Sequence, residues 1–586
     1  MKNKICAYTE NSQLVLKMMK ILRKKLLYCL SIISWVLVAI SALYFKLFPT
    51  LINTIVSDIS VVILIFALLL SIIIGSFMIQ YLEELILFMP QCLLICFIAR
   101  CIPYLRLSYP VLWDPYAFLV TFLNIHEFRT LEQIYSYWFP PLENLINWPL
   151  MMIMTELLSQ IGGIDHMWLF NYQQPIFGMI FFLGVYLLAY SVSQNYGVSL
   201  ISGLISSLSS HVIFYQSEYH PQGYAFIILV FLLVVLSRSW ELKNKMEYRI
   251  LAIIFIIAFT TSHYFSSLFI SFILISLSCT LLFILIANRN LSSPQLNIFG
   301  VEWTSEIFFS SILLLIIVLS YHFYVFSGHI NDYIHIIFSA NPYNAPLVSV
   351  EGSVPFPTYI IQNIRFIVLI LGFGSICYTM KTKTHEEILF SIICTLLIAL
   401  GIIGNTLIFL EVGRIVAFYE TLIGVFAALT LFRLRDIWLK SLNKRTTITV
   451  LLCIFTAGII TLTFFGGNYI PAYYFKSLGQ NDYYWCENNL PDMQKYEAVG
   501  KWIAGFSPAK PIILIDTTRY FIHSAIFFWG ETPLDRIIVF ERYPYDQDNN
   551  TLITFNIKGN RKGDKERQIE KTSRVYFNGE AVIHSV

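Results

Sequence analysis

Charged side chains are scarce in this sequence, and their scarcity excludes an ordinary soluble protein. Of the 586 residues, 13% are charged and 57% are hydrophobic, whereas a soluble globular domain carries about 25% charged residues. Several segments run for about 18 residues or more with few charges, which is long enough to cross a bilayer as a helix. The net charge of +3 says little about partners, and nothing indicates nucleic-acid binding. The composition predicts a polytopic membrane protein.

Cysteine is not used in any pattern that would bind a metal or cross-link the chain. The ten cysteines show neither a disulfide framework nor the spacing of a zinc site, and Cys486 stands alone in the tail after residue 466. Most of the others fall inside apolar segments: Cys29, Cys92, Cys96, Cys279, Cys377, Cys394 and Cys453. The sequence therefore predicts no disulfide-stapled fold.

The N-terminus carries basic residues but no small-residue cleavage site. Several Lys and Arg residues within positions 1–25 precede a long apolar segment, which is typical of a retained anchor and not of a secretory signal. Because basic flanks favour the cytoplasm, we expect residues 1–25 there. The next two spans, within 26–84, then form an N-terminal transmembrane hairpin.

The apolar segments predict about 13 membrane crossings in a mainly α protein. They lie near 26–47, 59–79, 85–102, 174–193, 197–215, 222–237, 250–263, 266–287, 307–326, 359–379, 388–409, 413–432 and 447–466. With this count the basic clusters at 238–249, 381–383 and 433–445 fall on the same side as the N-terminus, as expected for cytoplasmic loops.

The segment 144–163 is long enough to cross, but Pro149 and Glu156 interrupt it. Counting it as a span would place the basic cluster 238–249 outside. We therefore expect an interfacial or re-entrant helix there.

The remaining polar material is predicted on the outer face of the cell membrane. It comprises a first loop, 103–172, a turn, 215–223, a loop, 327–358, and the tail, 467–586. Residues 85–466 would form the transmembrane core. The loop 327–358 is either a cover for a bound substrate or a structured connector.

The tail has the pattern of a small extracytoplasmic α/β domain. It contains an amphipathic helix at 495–506, a buried strand at 510–517 and a closing hairpin at 573–586 that turns at Asn578-Gly579. Because the tail holds no nucleophile-base pair, metal cluster or phosphate loop, we expect a structural or recognition role for it.

Asp114 is the first candidate for chemistry. It precedes Pro115 in "WDPYAFLVTFLNIHEF", and Asp at N-cap with Pro at the first helical position is a strong helix start. That role alone explains both residues. The helix that follows is rich in apolar residues, however, and a carboxylate held at the membrane surface is well suited to acid-base chemistry.

Glu218 and His220 lie in a turn closed by Pro221 and Gly223. In extended backbone their spacing aims both side chains to the same side. Such a pair can share a divalent metal or contact a phosphate. The alternative is that they are two polar residues in an exposed turn.

Three more ionisable residues occupy predicted spans or their ends. Arg414 begins a span and either snorkels toward the interface or contacts a lipid-linked phosphate. His263, at the end of another span, is either a satisfied interfacial histidine or a phosphate contact. Glu420 lies within the span after Arg414, and we expect it to find a partner inside the bundle because an unpaired carboxylate is costly there.

Three stretches together carry a family resemblance. The first is "WDPYAFLVTFLNIHEF" followed by "YSYWFPPLENLINWPL", the second is the Glu218-Tyr219-His220 turn, and the third is "EVGRIVAFYE" around Arg414. They resemble the membrane glycosyltransferases of the GT-C superfamily, which holds oligosaccharyltransferase catalytic subunits, protein mannosyltransferases and aminoarabinose transferases. The resemblance covers about residues 85–432, and "VYFNGEAVIHS" near the C-terminus is similar to the ends of archaeal membrane proteins.

The resemblance implies a sugar donor linked to polyprenyl phosphate or pyrophosphate, transfer on the extracytoplasmic face and a divalent metal, Mg²⁺ or Mn²⁺. Asp114 would be the catalytic acid-base or a metal-ordering carboxylate. Glu218 and His220 would hold the metal or a phosphate, and Arg414 and His263 would contact the donor phosphate. The tail lacks a Trp-Trp-Asp-Tyr-Gly sequence, which argues against sequon recognition.

Two other functions would also use a lipid-linked saccharide. A transporter or flippase would line a path near the bilayer midplane, often with discontinuous helices. A surface-polysaccharide polymerase or ligase would act on the same class of donor without needing a metal.

Overall fold

The computed structural model describes residues 22, 25–41, 62–75, 85–106, 149–217, 219–241, 246–291, 301–325, 371–372, 392–393, 395, 412–441, 454–460, 512–515, 537–539, 551–555, 573–577 and 581–585. Within them the protein is almost entirely helical, with one sheet near the C-terminus. The helices are α1 (Lys25–Ser41), α2 (Val62–Gly75), α3 (Leu85–Arg106), α4 (Leu150–Gly162), α5 (His166–Ser193), α6 (Tyr196–Ser207), α7 (Ser210–Ser217), α8 (Pro221–Glu241), α9 (Met246–Ser262), α10 (Tyr264–Leu291), α11 (Val301–Val325) and α12 (Val412–Ser441).

Five of the described helices are long and apolar enough to cross a membrane, namely α5, α8, α10, α11 and α12. The bent pair of α6 and α7 makes a sixth if it is counted as one span. Helix α4 has 13 residues and is therefore only about 20 Å long, which is shorter than a hydrocarbon core of about 30 Å. The predicted spans at 359–379 and 388–409 lie almost entirely outside the described residues.

The chain divides into two compact units. The first comprises Met1–Arg106, Gln174–Ser217 and Gln222–Ser477. The second comprises Leu107–Gln173, Glu218–Pro221 and Leu478–Val586. The second unit therefore combines three segments that are far apart along the chain.

Hydroxyl side chains inside the apolar helices donate to the backbone of their own helix. Hydrocarbon offers no hydrogen-bond partner, so a serine or threonine there needs one within the protein. The residues that donate to the carbonyl four positions earlier include Ser41, Ser71, Ser202, Ser217, Thr260, Ser271, Ser278, Ser311 and Thr421. This local bonding lets a serine-rich sequence remain helical in a bilayer.

Helices α6 and α12 pack closely in the first unit. Every residue from Gly197 to Ser207 of α6 is buried. Ser206 Oγ donates to the carbonyl of Thr421 at 2.8 Å, and a Cβ added at Gly424 would overlap Ser206 Oγ. Small residues at this contact allow the two backbones to approach, as is common between membrane helices.

The predicted span 197–215 is not one straight helix, which corrects the sequence-based prediction. α6 and α7 meet at an angle of 66°. Serines stand on both sides of the break, at 206, 207, 209 and 210, and serine side chains compete for the backbone bonds that would continue a helix. The break leaves carbonyls at the end of α6 that need other donors.

Helix α5 begins at His166 and not at residue 174, so the first loop ends earlier than predicted. Asp165 caps it, because its Oδ2 accepts from the backbone N–H of Trp168 at 3.0 Å. Pro175 lies inside the helix, which membrane helices tolerate. Asn195 caps α6 in the same way, accepting from the backbone of Gly197 and Val198.

The described strands of the tail form one mixed sheet. They are β1 (Ile512–Ile515), β2 (Ile537–Val539), β3 (Thr551–Phe555), β4 (Ser573–Phe577) and β5 (Ala581–Ser585). Their order is β2-β1-β3-β5-β4. β1 pairs in parallel with β2 and β3, whereas β5 pairs antiparallel with β3 and β4. A strand forms within the predicted 510–517, at Ile512–Ile515, and β4 and β5 pair as the arms of the predicted closing hairpin. The burial of the strand, the turn at Asn578-Gly579 and the helix at 495–506 lie outside what the structure describes.

We expect Gly424→Ala to lower the thermal stability of the detergent-purified protein. The added methyl must push α12 away from Ser206, and such overpacking costs about 1–3 kcal/mol. Thermal unfolding of the purified variant measures the effect. Gly458→Ala is the matched control, because a Cβ there meets no described atom within 4 Å. Equal melting temperatures for Gly424→Ala and the control would contradict this packing.

Candidate functional site

The turn between α7 and α8 is anchored by its central residue. Tyr219 is 1% exposed. Its hydroxyl lies 2.8 Å from Thr155 Oγ1 of α4, and its ring centroid lies 5.1 Å from that of Phe170. All three residues belong to the second unit, so that unit joins the turn to the first loop across 64 residues of sequence.

The hydroxyl of Thr155 sets the direction of this hydrogen bond. Thr155 Oγ1 also lies 2.9 Å from the carbonyl of Met151 and 2.8 Å from Gln173 Oε1, both of which are acceptors. Because the threonine has one proton to donate to them, Tyr219 is the donor to Thr155. Burial raises the pKa of the Tyr219 phenol, so the side chain is neutral and able to donate at physiological pH.

The structure describes only part of the predicted acidic group. His220 is half-buried at the end of the turn, next to Pro221. Glu218 and Asp114 lie outside the described residues. Among the residues that are described, no three His, Cys, Asp or Glu side chains form a group that could hold a metal ion. A metal bound by Asp114, Glu218 and His220 therefore stays a prediction.

Arg414 lies in the first turn of α12, and its side chain is outside the described part of the chain. Glu420, on the same helix, is 7% exposed. Its Oε1 lies 3.1 Å from His211 Nδ1, and its Oε2 accepts a hydrogen bond from Ser209. The prediction that Glu420 finds a partner inside the bundle is confirmed.

His263 occupies the junction between α9 and α10. It is 2% exposed, and its Nδ1 accepts from the backbone N–H of Ser266 at 3.3 Å. The same nitrogen lies 2.8 Å from Ser266 Oγ. His263 is thus the N-cap of α10. The role of a phosphate contact, which would use the rest of the ring, stays a prediction.

Arg100 is an important residue that the sequence analysis did not single out. It lies within the predicted span 85–102, is fully buried and donates four hydrogen bonds. A cationic side chain inside an apolar span is a signal that could have found it, because such residues are rare in membranes and usually functional. Tyr219 was quoted within its motif but was not recognised as the anchor of the turn.

Comparison with known proteins found similarity to solved structures and none to a family model. No family model and no curated protein matches the sequence. Among solved structures it is similar to the oligosaccharyltransferase of Archaeoglobus fulgidus in complex with Zn and sulfate, with 12% identity, a TM-score of 0.45 and coverage of 75% of this chain and 61% of that one. This chain therefore spans less than two thirds of that enzyme's length.

The other similar structures are of ArnT from Cupriavidus metallidurans. The apo state gives 11% identity and a TM-score of 0.45, and the state bound to undecaprenyl phosphate gives 12% and 0.42. Each match covers 75% of this chain and 87% of ArnT. The function proposed for this chain rests on its own residues.

We expect His263→Asn to unfold at the wild-type temperature and His263→Leu to unfold earlier. Asparagine can accept the Ser266 N–H as the histidine does, whereas leucine leaves it without that acceptor, and loss of an N-cap costs about 1 kcal/mol. Thermal unfolding in detergent compares the two variants. A leucine variant as stable as the asparagine variant would rule out the capping role.

Proposed function

We propose that the protein is a membrane glycosyltransferase of the GT-C type. It transfers a sugar from a polyprenyl-phosphate or polyprenyl-pyrophosphate donor to an acceptor on the extracytoplasmic face. The proposal includes about 13 membrane crossings, a cytoplasmic N-terminus and an extracytoplasmic C-terminal α/β domain.

The observation that best supports the proposal is the hydrogen bond of 2.8 Å between Tyr219 and Thr155. The family resemblance requires the first outer loop and the later acidic turn to build one site, although they are distant in sequence. Thr155 lies in α4 of that loop, and Tyr219 stands between Glu218 and His220. A fixed, buried link between these two segments is what such a site needs.

The chemistry assigns each predicted residue a role. An acceptor hydroxyl oxygen attacks the anomeric carbon of the sugar, the bond from that carbon to the phosphate oxygen breaks, and the polyprenyl phosphate leaves with the electron pair. Asp114 takes the hydroxyl proton. Arg414 and His263 stabilise the negative charge on the departing phosphate.

Glu218, His220 and Asp114 are the residues that would hold a divalent ion, Mg²⁺ or Mn²⁺. When bound, the ion would add positive charge beside the phosphate. Carboxylate oxygens suit both metals, and a histidine nitrogen suits Mn²⁺ better than Mg²⁺. The hydrophobic surface of the bundle would receive the polyprenyl chain, so membrane lipid is a partner.

We expect Asp114→Asn to reduce sugar transfer by at least about 100-fold, because a general base contributes about 10²–10⁴-fold. Purified protein is incubated with polyprenyl-phosphate sugars, with and without a chelator, and the released polyprenyl phosphate is measured. Asp165→Asn is the matched control in the same loop, since asparagine caps α5 as well as aspartate does. Full activity in Asp114→Asn, with normal expression and insertion, would refute its catalytic role.

The second candidate function is a transporter or flippase of a lipid-linked saccharide. The break between α6 and α7, with Glu420 and His211 beside it, favours this alternative, because transporters use discontinuous helices at their substrate sites. The same incubation, repeated in proteoliposomes, separates the two. A flippase moves the intact saccharide-lipid between leaflets and releases no polyprenyl phosphate.

A polymerase or ligase would release the lipid carrier but would keep its activity in chelator.

The proposed topology predicts that α4 and the start of α9 face opposite sides of the membrane. Gln160 and Glu247 are both exposed polar residues. In a background whose native cysteines are replaced by alanine, we expect Gln160→Cys to react with an impermeant maleimide added outside intact cells. Glu247→Cys should react only after the membrane is opened. Labelling of both positions from outside would overturn the topology.

A further inference from the structure

The short helix α7 is held by ionisable side chains from two other helices. Arg100 reaches it from α3, and Glu420 reaches it from α12. All of these elements belong to the first unit. α7 ends at Ser217, and the chain then passes directly into Glu218, Tyr219 and His220.

Arg100 bonds to both sides of the break. Its Nη2 donates to the carbonyl of Ser207, the last residue of α6, at 2.9 Å. Its Nε and Nη2 donate to Oε1 of Gln216, in the last turn of α7, at 3.2 and 2.5 Å. The guanidinium therefore supplies a donor to a carbonyl at the end of α6 and fixes the far end of α7.

Glu420 holds the near end of α7. One carboxylate oxygen accepts from Ser209, within the break, and the other lies 3.1 Å from His211 in the first turn of α7. Glu420 and His211 are 7% and 3% exposed. Both ends of the short helix are thus joined by ionisable groups to neighbouring long helices.

A helix can bend without such groups, since serine or glycine pairs suffice. Burying a guanidinium and a carboxylate in an apolar bundle is unfavourable unless each is well bonded. The packing is also tight in the first turn of α8. A Cβ at Gly223, in the first turn of α8, would lie 2.8 Å from Gln174 Oε1 and would press on the carbonyl of Tyr215. These contacts therefore fix the axis of α7 up to its last turn.

We propose that Arg100 and Glu420 are positioning residues for α7, the short helix whose last residue, Ser217, precedes Glu218 in the chain. They fix the axis of α7 and the position of its last turn. This inference rests on the proposed function, because Glu218 and His220, which that function assigns to the metal or the donor phosphate, follow α7 directly in sequence. Neither residue is assigned a contact with the substrate.

Amide hydrogen exchange tests the positioning directly. We expect Arg100→Gln to accelerate exchange of 210–217 about tenfold, as for loss of about one net hydrogen bond. Exchange in α10 and α11 should not change. Glu420→Gln should act on the same segment, and Arg100→Lys should have an intermediate effect because an ammonium cannot reproduce the planar set of donors.

A variant at Gly178 tests the same interaction without changing Arg100 itself. A Cβ at Gly178 would overlap Cδ and Nε of Arg100, so Gly178→Ala should displace the guanidinium and accelerate exchange of 210–217. Gly178→Ala combined with Arg100→Gln should add little to either change alone, since both remove one interaction. Gly458→Ala is again the control, because a Cβ at Gly458 meets no atom of the described residues within 4 Å. If Arg100→Gln does not fold, Arg100→Lys and Gly178→Ala give the same test.

Kinetics separate this inference from the proposed function. For positioning, we expect Arg100→Lys to lower kcat about tenfold with little change in the donor KM. Ser278→Ala, which removes a buried hydroxyl elsewhere, is the control and should keep the wild-type kcat.

Unchanged exchange of 210–217 in all the Arg100, Gly178 and Glu420 variants would overturn the inference. Altered exchange with wild-type kcat would also overturn it but would leave the transferase intact. A wild-type protein that transfers no sugar would refute the transferase alone, and the exchange result would still stand as a property of α7.

Discussion

The hydrocarbon core of a membrane contains no water, and this constrains the polar side chains of the first unit. Every polar group placed there must find its partner within the protein. Many serine and threonine hydroxyls meet the requirement locally by bonding to the preceding turn. Arg100 bonds to the preceding turn through Nη1 alone, and its other donors, like the Glu420 carboxylate, find partners elsewhere in the bundle. The polar side chains of the bundle therefore determine which helices are joined and where one of them breaks.

The helical part of the fold could be predicted largely from apolar runs. α8, α10, α11 and α12 each overlap a predicted span, because about 18 apolar residues leave the chain few alternatives in a bilayer. The bend between α6 and α7 could not be predicted in this way. Its sequence is as apolar as a straight span, and although the serines at 206, 207, 209 and 210 permit a break, the bonds that hold it reach residues more than 100 positions away.

The candidate site was only partly predictable for the same reason. Glu420 was expected to have a partner because a buried carboxylate needs one, but nothing local identifies His211. His263 was weighed as an interfacial histidine or a phosphate contact, and its capping of α10 depends on where that helix begins. Tyr219 has the clearest structural role in its turn, yet tyrosine between two polar residues is unremarkable in sequence. Long-range partners, which spacing does not encode, decide the roles of Glu420 and Tyr219, whereas the role of His263 depends on a helix boundary.

The tail sheet has a consequence for how the protein meets other chains. Among the described strands, the order leaves β2 and β4 at the two edges. β2 spans only Ile537–Val539, and the pairing of β4 is irregular between Arg574 and Tyr576. Short edges and local irregularities hinder strand addition by another molecule. The edges of the described sheet are thus poor templates for edge-to-edge pairing between copies of the chain.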